Sequence, residues 1–127
     1  MKNYQDGFSV IGIIESFKNS ARGFKIVLQD EYNLYIQIGF AIIATICGFI
    51  FEISFDEWAI QTAVIGLVIF SELVNTAFEK TMDLIHPQQD PRVRDIKDLA
   101  SAAVLFMVMV SITTGLFIYV PKVIVLL

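Results

Sequence analysis

Apolar residues gather in three long runs separated by short polar connections. Residues 38–51 carry no charge, and with 34–37 ahead of them they reach the roughly 20 residues a helix needs to cross a bilayer. Residues 58–70 are almost wholly apolar and become long enough only when 72–77 are added. Residues 99–120 carry no charge at all and form the cleanest span of the three. The segment ahead of these runs has another period. Val10, Ile13, Phe17, Ala21, Phe24 and Leu28 recur at spacings of three and four, with Glu15, Lys18, Arg22, Lys25 and Gln29 on the opposite face. That pattern predicts an amphipathic helix lying in the membrane interface, closed by Asp30 and Glu31 where the chain turns into the bilayer. The expected fold is therefore an all-α membrane protein in one domain over 1–127. A surface helix at 8–31 precedes transmembrane helices at 33–53, 58–83 and 97–120.

Composition and charge sharpen this picture. Of 127 residues, 56% are hydrophobic, against the roughly 45–50% usual in soluble domains. Lys2, Lys18, Arg22 and Lys25 precede the first span, and Lys80, Arg92, Arg94 and Lys97 lie between the second and third. The connection between the first two spans holds Glu52, Asp56 and Glu57 and no basic residue. The positive-inside rule then puts the N-terminus and second connection in the cytoplasm and the C-terminus outside, with Lys122 as a single dissenting charge. The net charge of −4 has little bearing on topology. The first apolar run begins late and lacks a small-residue cleavage site, so no cleaved leader is expected. Cys47, the only cysteine, sits inside a span and reads as a packing residue, since one thiol makes neither a metal site nor an internal disulfide.

Candidate chemistry lies on the second span. At about 100° per residue, Glu72, Asn75, Glu79 and Asp83 fall within roughly 80° of one another on one helix face. Carboxylates at a bilayer edge are expensive to bury and mark functional sites by default. The expected topology brings Glu31, Glu72, Glu79 and the Lys97-Asp98 pair to the same edge. Oxygen ligands of this kind suit Mg²⁺, which takes one or two carboxylates plus substrate phosphates. Lys97 is a point charge suited to a phosphate, and a shielded carboxylate is a candidate general base. These are parts for phosphoryl transfer, although no Gly-rich P-loop or soluble-kinase signature is present. Spacing alone leaves three readings open: an enzyme, a carboxylate-lined ion transporter or channel, and a structural oligomer joined by polar residues.

The residues also carry a resemblance. Glu72-Leu-Val-Asn75-Thr-Ala-Phe-Glu79, then Asp83, then Lys97-Asp98-Leu-Ala-Ser101-Ala-Ala-Val resembles the prokaryotic diacylglycerol kinase and undecaprenol kinase family of small integral membrane lipid kinases. Ser16-Phe17-Lys18-Asn19-Ser20-Ala21-Arg22-Gly23 and Glu31-Tyr-Asn33 resemble its surface helix and terminal glutamate, so the likeness covers roughly residues 14–120. The resemblance implies ATP- and Mg²⁺-dependent phosphorylation of a lipid primary hydroxyl, of diacylglycerol or undecaprenol, by a homotrimer in the bacterial inner membrane. It implies Glu72 as general base and Glu31 and Glu79 as holders of the metal that bridges the ATP phosphates. Lys97 and Asp98 would serve the nucleotide, Asn75 the base or lipid alcohol, and Ser101 the lipid. Asn19 and Asp90 stand at positions associated with the nucleotide.

The chain also departs from the family pattern. Asp90 replaces the histidine usual before the second proline of the loop, with His86 standing earlier. Gln37 occupies the place of another common histidine. The E-x-N form at Glu31-Tyr-Asn33 leans toward the polyprenol-phosphorylating branch.

Overall fold

The computed structural model describes residues 9–127, all of whose regular structure is helical. Four helices follow in order: α1 (Val10–Asp30), α2 (Tyr32–Ile50), α3 (Phe55–Ile85) and α4 (Pro91–Leu126). The last three are long and apolar enough to cross a membrane. The chain divides into two compact units, one ending at Glu31 and carrying α1, the other Tyr32–Leu127.

In α1, Val27 is buried, whereas Val10, Ile11, Ile14, Phe17 and Phe24 are exposed. The Ser16 and Ser20 hydroxyls donate to the carbonyls of Gly12 (2.8 Å) and Ser16 (3.0 Å), so the polar side chains are satisfied within the helix. The helix stops at Asp30, where the Glu31 N–H still donates to the Val27 carbonyl at 2.8 Å.

In the second unit, α3 packs mainly on α4 and more lightly on α2. The α2–α3 turn is built from backbone hydrogen bonds. The N–H of Ile53 reaches the Gly48 carbonyl (3.1 Å) and that of Glu52 reaches Phe49 (3.3 Å), a Schellman closure with Glu52 in the left-handed position at φ 48°. Ser54 then caps α3: its Oγ accepts from the Glu57 N–H at 3.2 Å while a Glu57 carboxylate oxygen accepts from the Ser54 N–H at 2.7 Å. The same Glu57 oxygen lies 2.9 Å from Lys122 Nζ on α4. The charge that dissents from the positive-inside pattern is thus paired with the first turn of α3.

Above this turn the helices approach closely. A Cβ at Gly48 would lie 2.5 Å from Trp58 Cη2 and 2.7 Å from Cζ2, so the glycine is what lets the indole lie across α2. The Phe49 and Trp58 rings stand 4.9 Å apart beside it. Gly48→Ala is expected to lower stability in detergent by about 1–3 kcal/mol, the usual scale of overpacking. An unfolding midpoint equal to wild type would refute this close approach. One turn further into the bundle, Gln61 Nε2 donates to the Ala44 carbonyl at 3.2 Å, and the Tyr119 hydroxyl lies 2.6 Å from Gln61 Oε1. This small network joins α2, α3 and α4 and satisfies polar groups where lipid offers no partner.

At the opposite end, His86 closes α3 with its N–H on the Met82 carbonyl at 2.9 Å, and Pro87 follows where no further helical N–H is needed. Asp90 caps α4 and Pro91 occupies its first turn. The fork of Arg92 grips the Asp90 carboxylate (Nη2 at 2.7 Å, Nε at 3.1 Å) and the Arg92 N–H joins at 2.8 Å. The guanidinium first, and the backbone N–H after it, hold the Asp90 carboxyl below its ordinary value. Because the folded value is the lower one, this contribution is present above the unfolded Asp value of about 3.9 and is lost only as acid protonates the cap.

Candidate active site

The polar stripe of α3 runs from a sealed end to an open one. Glu72 is 0% exposed, Asn75 and Thr76 are buried, Glu79 is half-buried and Asp83 is exposed. At a rise of 1.5 Å per residue, the stripe covers roughly 16 Å of helix. Thr76 answers its own burial by donating to the Glu72 carbonyl at 2.9 Å.

Glu72 is held from α2. Gln37 Nε2 donates to Glu72 Oε2 at 2.7 Å, linking residues 35 apart in sequence. Three buried acceptors around this point find no donor among the described residues: Glu72 Oε1, Gln37 Oε1 and Asn75 Oδ1. Leaving buried acceptors unpaired costs about 1–3 kcal/mol each, so such a cluster is a natural place for a hydroxyl donor.

An apolar cavity of about 330 Å³ opens from the same point between α2, α3 and α4. Gln37 lies in its wall, and Phe40, Ala44, Ile65, Val68 and Ile112 supply much of the remainder. Hydrocarbon fits such a lining, with Gln37, the residue that holds Glu72, as a polar group in its wall.

A second concavity of about 550 Å³ forms where α3 passes into α4, lined by Asp83, His86, Gln88, Asp90, Arg94 and Lys97 among others. The Lys97 ammonium pairs with the Asp83 carboxylate across it. His86 Nε2 stands 3.5 Å from Asp90 Oδ2, and Arg92 donates to both Asp90 oxygens, so the carboxylate is engaged by its neighbours in the loop.

The sequence-derived residues fall into separate groups. Glu72, Asn75 and Glu79 share one stripe of α3, continued by Asp83, and Lys97 meets Asp83. Asp98 turns toward Arg94, 3.9 Å away, and Ser101 is exposed on α4. Asn19, exposed, and Glu31, half-buried, belong to the first unit. Gln37 is the member that periodicity alone did not assign. The signal was only its departure from a histidine-bearing pattern, since a contact between two helices leaves no local trace.

Comparison with known proteins identifies the family. The model of the prokaryotic diacylglycerol kinase family matches residues 18–119. The chain is 37% identical over 108 residues to the undecaprenol kinase of Bacillus subtilis, covering 85% of this chain and 88% of that protein. It is 28% identical over 97 residues to the diacylglycerol kinase of Pseudomonas aeruginosa, covering 76% of this chain and 70% of that protein. The chain belongs to the prokaryotic diacylglycerol kinase family. It is a multi-pass membrane lipid kinase, which settles the choice among enzyme, ion pathway and structural oligomer.

Proposed function

We propose that the chain transfers the γ-phosphate of ATP to the primary hydroxyl of a membrane lipid alcohol, with Glu72 as general base. The observation that carries this reading is the wholly buried Glu72 carboxylate, one oxygen held by Gln37 and the other without a donor among the described residues, with Gln37 itself in the wall of an apolar groove. The lipid hydroxyl donates to Glu72 Oε1 while its hydrocarbon lies in the groove. As the hydroxyl oxygen attacks the γ-phosphorus, its proton passes to Glu72, the bond to the β-phosphate breaks and ADP departs. Lys97 offsets phosphate charge from the polar concavity, and Asn75 orients the alcohol beside Glu72. Protein groups in such a transfer act chiefly by positioning and by fixed charge.

Mg²⁺ fits the donor set. Glu79 would offer it a hard carboxylate oxygen, as the family resemblance implies for Glu31 as well, and substrate phosphates would supply further oxygens. The ion supplies charge neutralisation on the transferring phosphate. Glu79→Gln is expected to raise several-fold the Mg²⁺ concentration that gives half-maximal rate; a superimposable Mg²⁺ titration would refute this role for Glu79.

Helix α1 is assigned to the cytoplasmic membrane surface with its exposed Phe17 and Phe24 among the acyl chains, and the C-terminus to the external side of the bacterial inner membrane. Three copies are proposed to assemble. Large apolar side chains on every spanning helix, such as Phe40, Phe70 and Phe106, are exposed in the single chain and offer surface for neighbours as well as lipid. Undecaprenol is the favoured acceptor, supported by the higher identity to the undecaprenol kinase. Supplying undecaprenol and diacylglycerol in competition tests this choice: a larger kcat/KM for undecaprenol is expected, and a larger one for diacylglycerol would reverse it.

A further inference from the structure

We infer that Gln37 is a positioning residue for Glu72, presenting Oε1 as the one carboxylate atom that takes the proton of the lipid hydroxyl. The inference rests on Glu72 being the base. Gln37 and Glu72 come from different helices, and the 2.7 Å bond between them holds Glu72 Oε2 from across the bundle. The donor is an amide N–H, so Oε2 is engaged by a group that cannot accept a proton. An amide turned the other way would set its carbonyl against the carboxylate, so the contact also fixes where Gln37 Oε1 points. That oxygen is buried and without a donor, as are Glu72 Oε1 and Asn75 Oδ1.

A mere tie between α2 and α3 would be expected to satisfy its own polar atoms, as the Gln61–Tyr119–Ala44 network does on both ends of the Gln61 amide. Gln37 instead leaves its acceptor unpaired beside the base while lining the groove. The arrangement leaves the Gln37 and Glu72 acceptors without donors where Gln37 meets the apolar groove, with one carboxylate oxygen immobilised. Because the amide does not titrate, the proton removed from the alcohol stays on Glu72 rather than passing on through position 37. The O–H bond breaks, the proton joins Oε1, the O–P bond forms and the leaving phosphate oxygen goes with ADP.

The test uses the full-length protein in mixed micelles and three substitutions. Gln37→Met keeps the side-chain length and removes the donor; Gln37→His restores an N–H donor; Gln37→Asn keeps an amide too short to reach. The Met and Asn variants are expected to lose about 10–100-fold in kcat, the scale of a misplaced reacting group, with the KM for ATP unchanged. Gln37→His is expected to recover most of that loss. A role confined to helix packing would instead lower the unfolding midpoint and scale activity with the folded fraction. Wild-type kcat in either the Met or the Asn variant would overturn the inference, as would equal impairment in the His variant. Glu72→Gln measured alongside separates the two claims. An inactive Glu72→Gln beside a fully active Gln37→Met removes only the positioning role, whereas an active Glu72→Gln removes the base on which it rests. If Gln37→Met fails to fold, Gln37→Asn decides.

Discussion

Glu72→Gln is expected to lower lipid phosphorylation by about 10²–10⁴-fold, the range that a positioned general base contributes. The substitution keeps the shape of the side chain and its acceptor for Gln37 while removing the proton-accepting oxygen. A buried carboxylate is costly to hold, so its neutral amide should leave stability unchanged or raise it. The fold is expected to survive because Glu72 joins no ion pair among those between described residues. Rate and unfolding midpoint measured on the same preparation make the claim specific. Turnover near wild type would sink the base assignment, and loss of both together would recast Glu72 as a folding residue.

Lys97→Met is the second large effect. Lys97 lies in the wall of the polar concavity between α3 and α4, paired with Asp83. That pair is partly exposed, at 31% for the lysine and 67% for the aspartate, and exposed pairs of this kind contribute at most about 1 kcal/mol. Its loss should therefore leave the fold intact. If Lys97 instead offsets phosphate charge, its loss should cost about 10²–10³-fold in kcat, as removal of one such stabilising group does elsewhere. Lys97→Arg keeps the charge but changes a point donor into a planar fork, and should retain an intermediate rate. Unchanged kcat in Lys97→Met would assign the lysine to the Asp83 contact alone.

Much of the fold was legible because lipid imposes a coarse rule. Charge-free runs at 38–51 and 99–120 have few other uses; the second lies inside a spanning helix of the structure, and so does the first apart from Phe51. Helix ends followed finer rules. The third helix begins at Phe55 rather than 58 because Ser54 and Glu57 form a reciprocal cap, an S-x-x-E signature present in the sequence. The last helix begins at Pro91 rather than 97, because Asp90 caps it and Pro91 fits its first turn. Its charged first turns were hidden by a reading tuned to apolar runs.

The candidate site was legible in one dimension. A period of 3.6 puts Glu72, Asn75 and Glu79 on one face of a helix whatever else surrounds it, and the structure keeps them there. Contacts across helices were not legible. Lys97 and Asp98 are adjacent in sequence, yet successive helical residues point about 100° apart, and the two meet different partners, Asp83 and Arg94. Gln37 finds Glu72 through the rotation and register of two packed helices, which no local pattern encodes. The Gln61–Tyr119 contact, 58 residues apart, is of the same kind.

The most direct test of the central claim is transfer of labelled γ-phosphate from ATP to a lipid alcohol by the purified protein and by Glu72→Gln, with and without Mg²⁺. Labelled lipid from the wild type, dependent on Mg²⁺ and lost in the Glu72→Gln variant, is the predicted result. Labelled lipid formed by Glu72→Gln at the wild-type rate, or none from a folded wild-type protein given both undecaprenol and diacylglycerol, would contradict it.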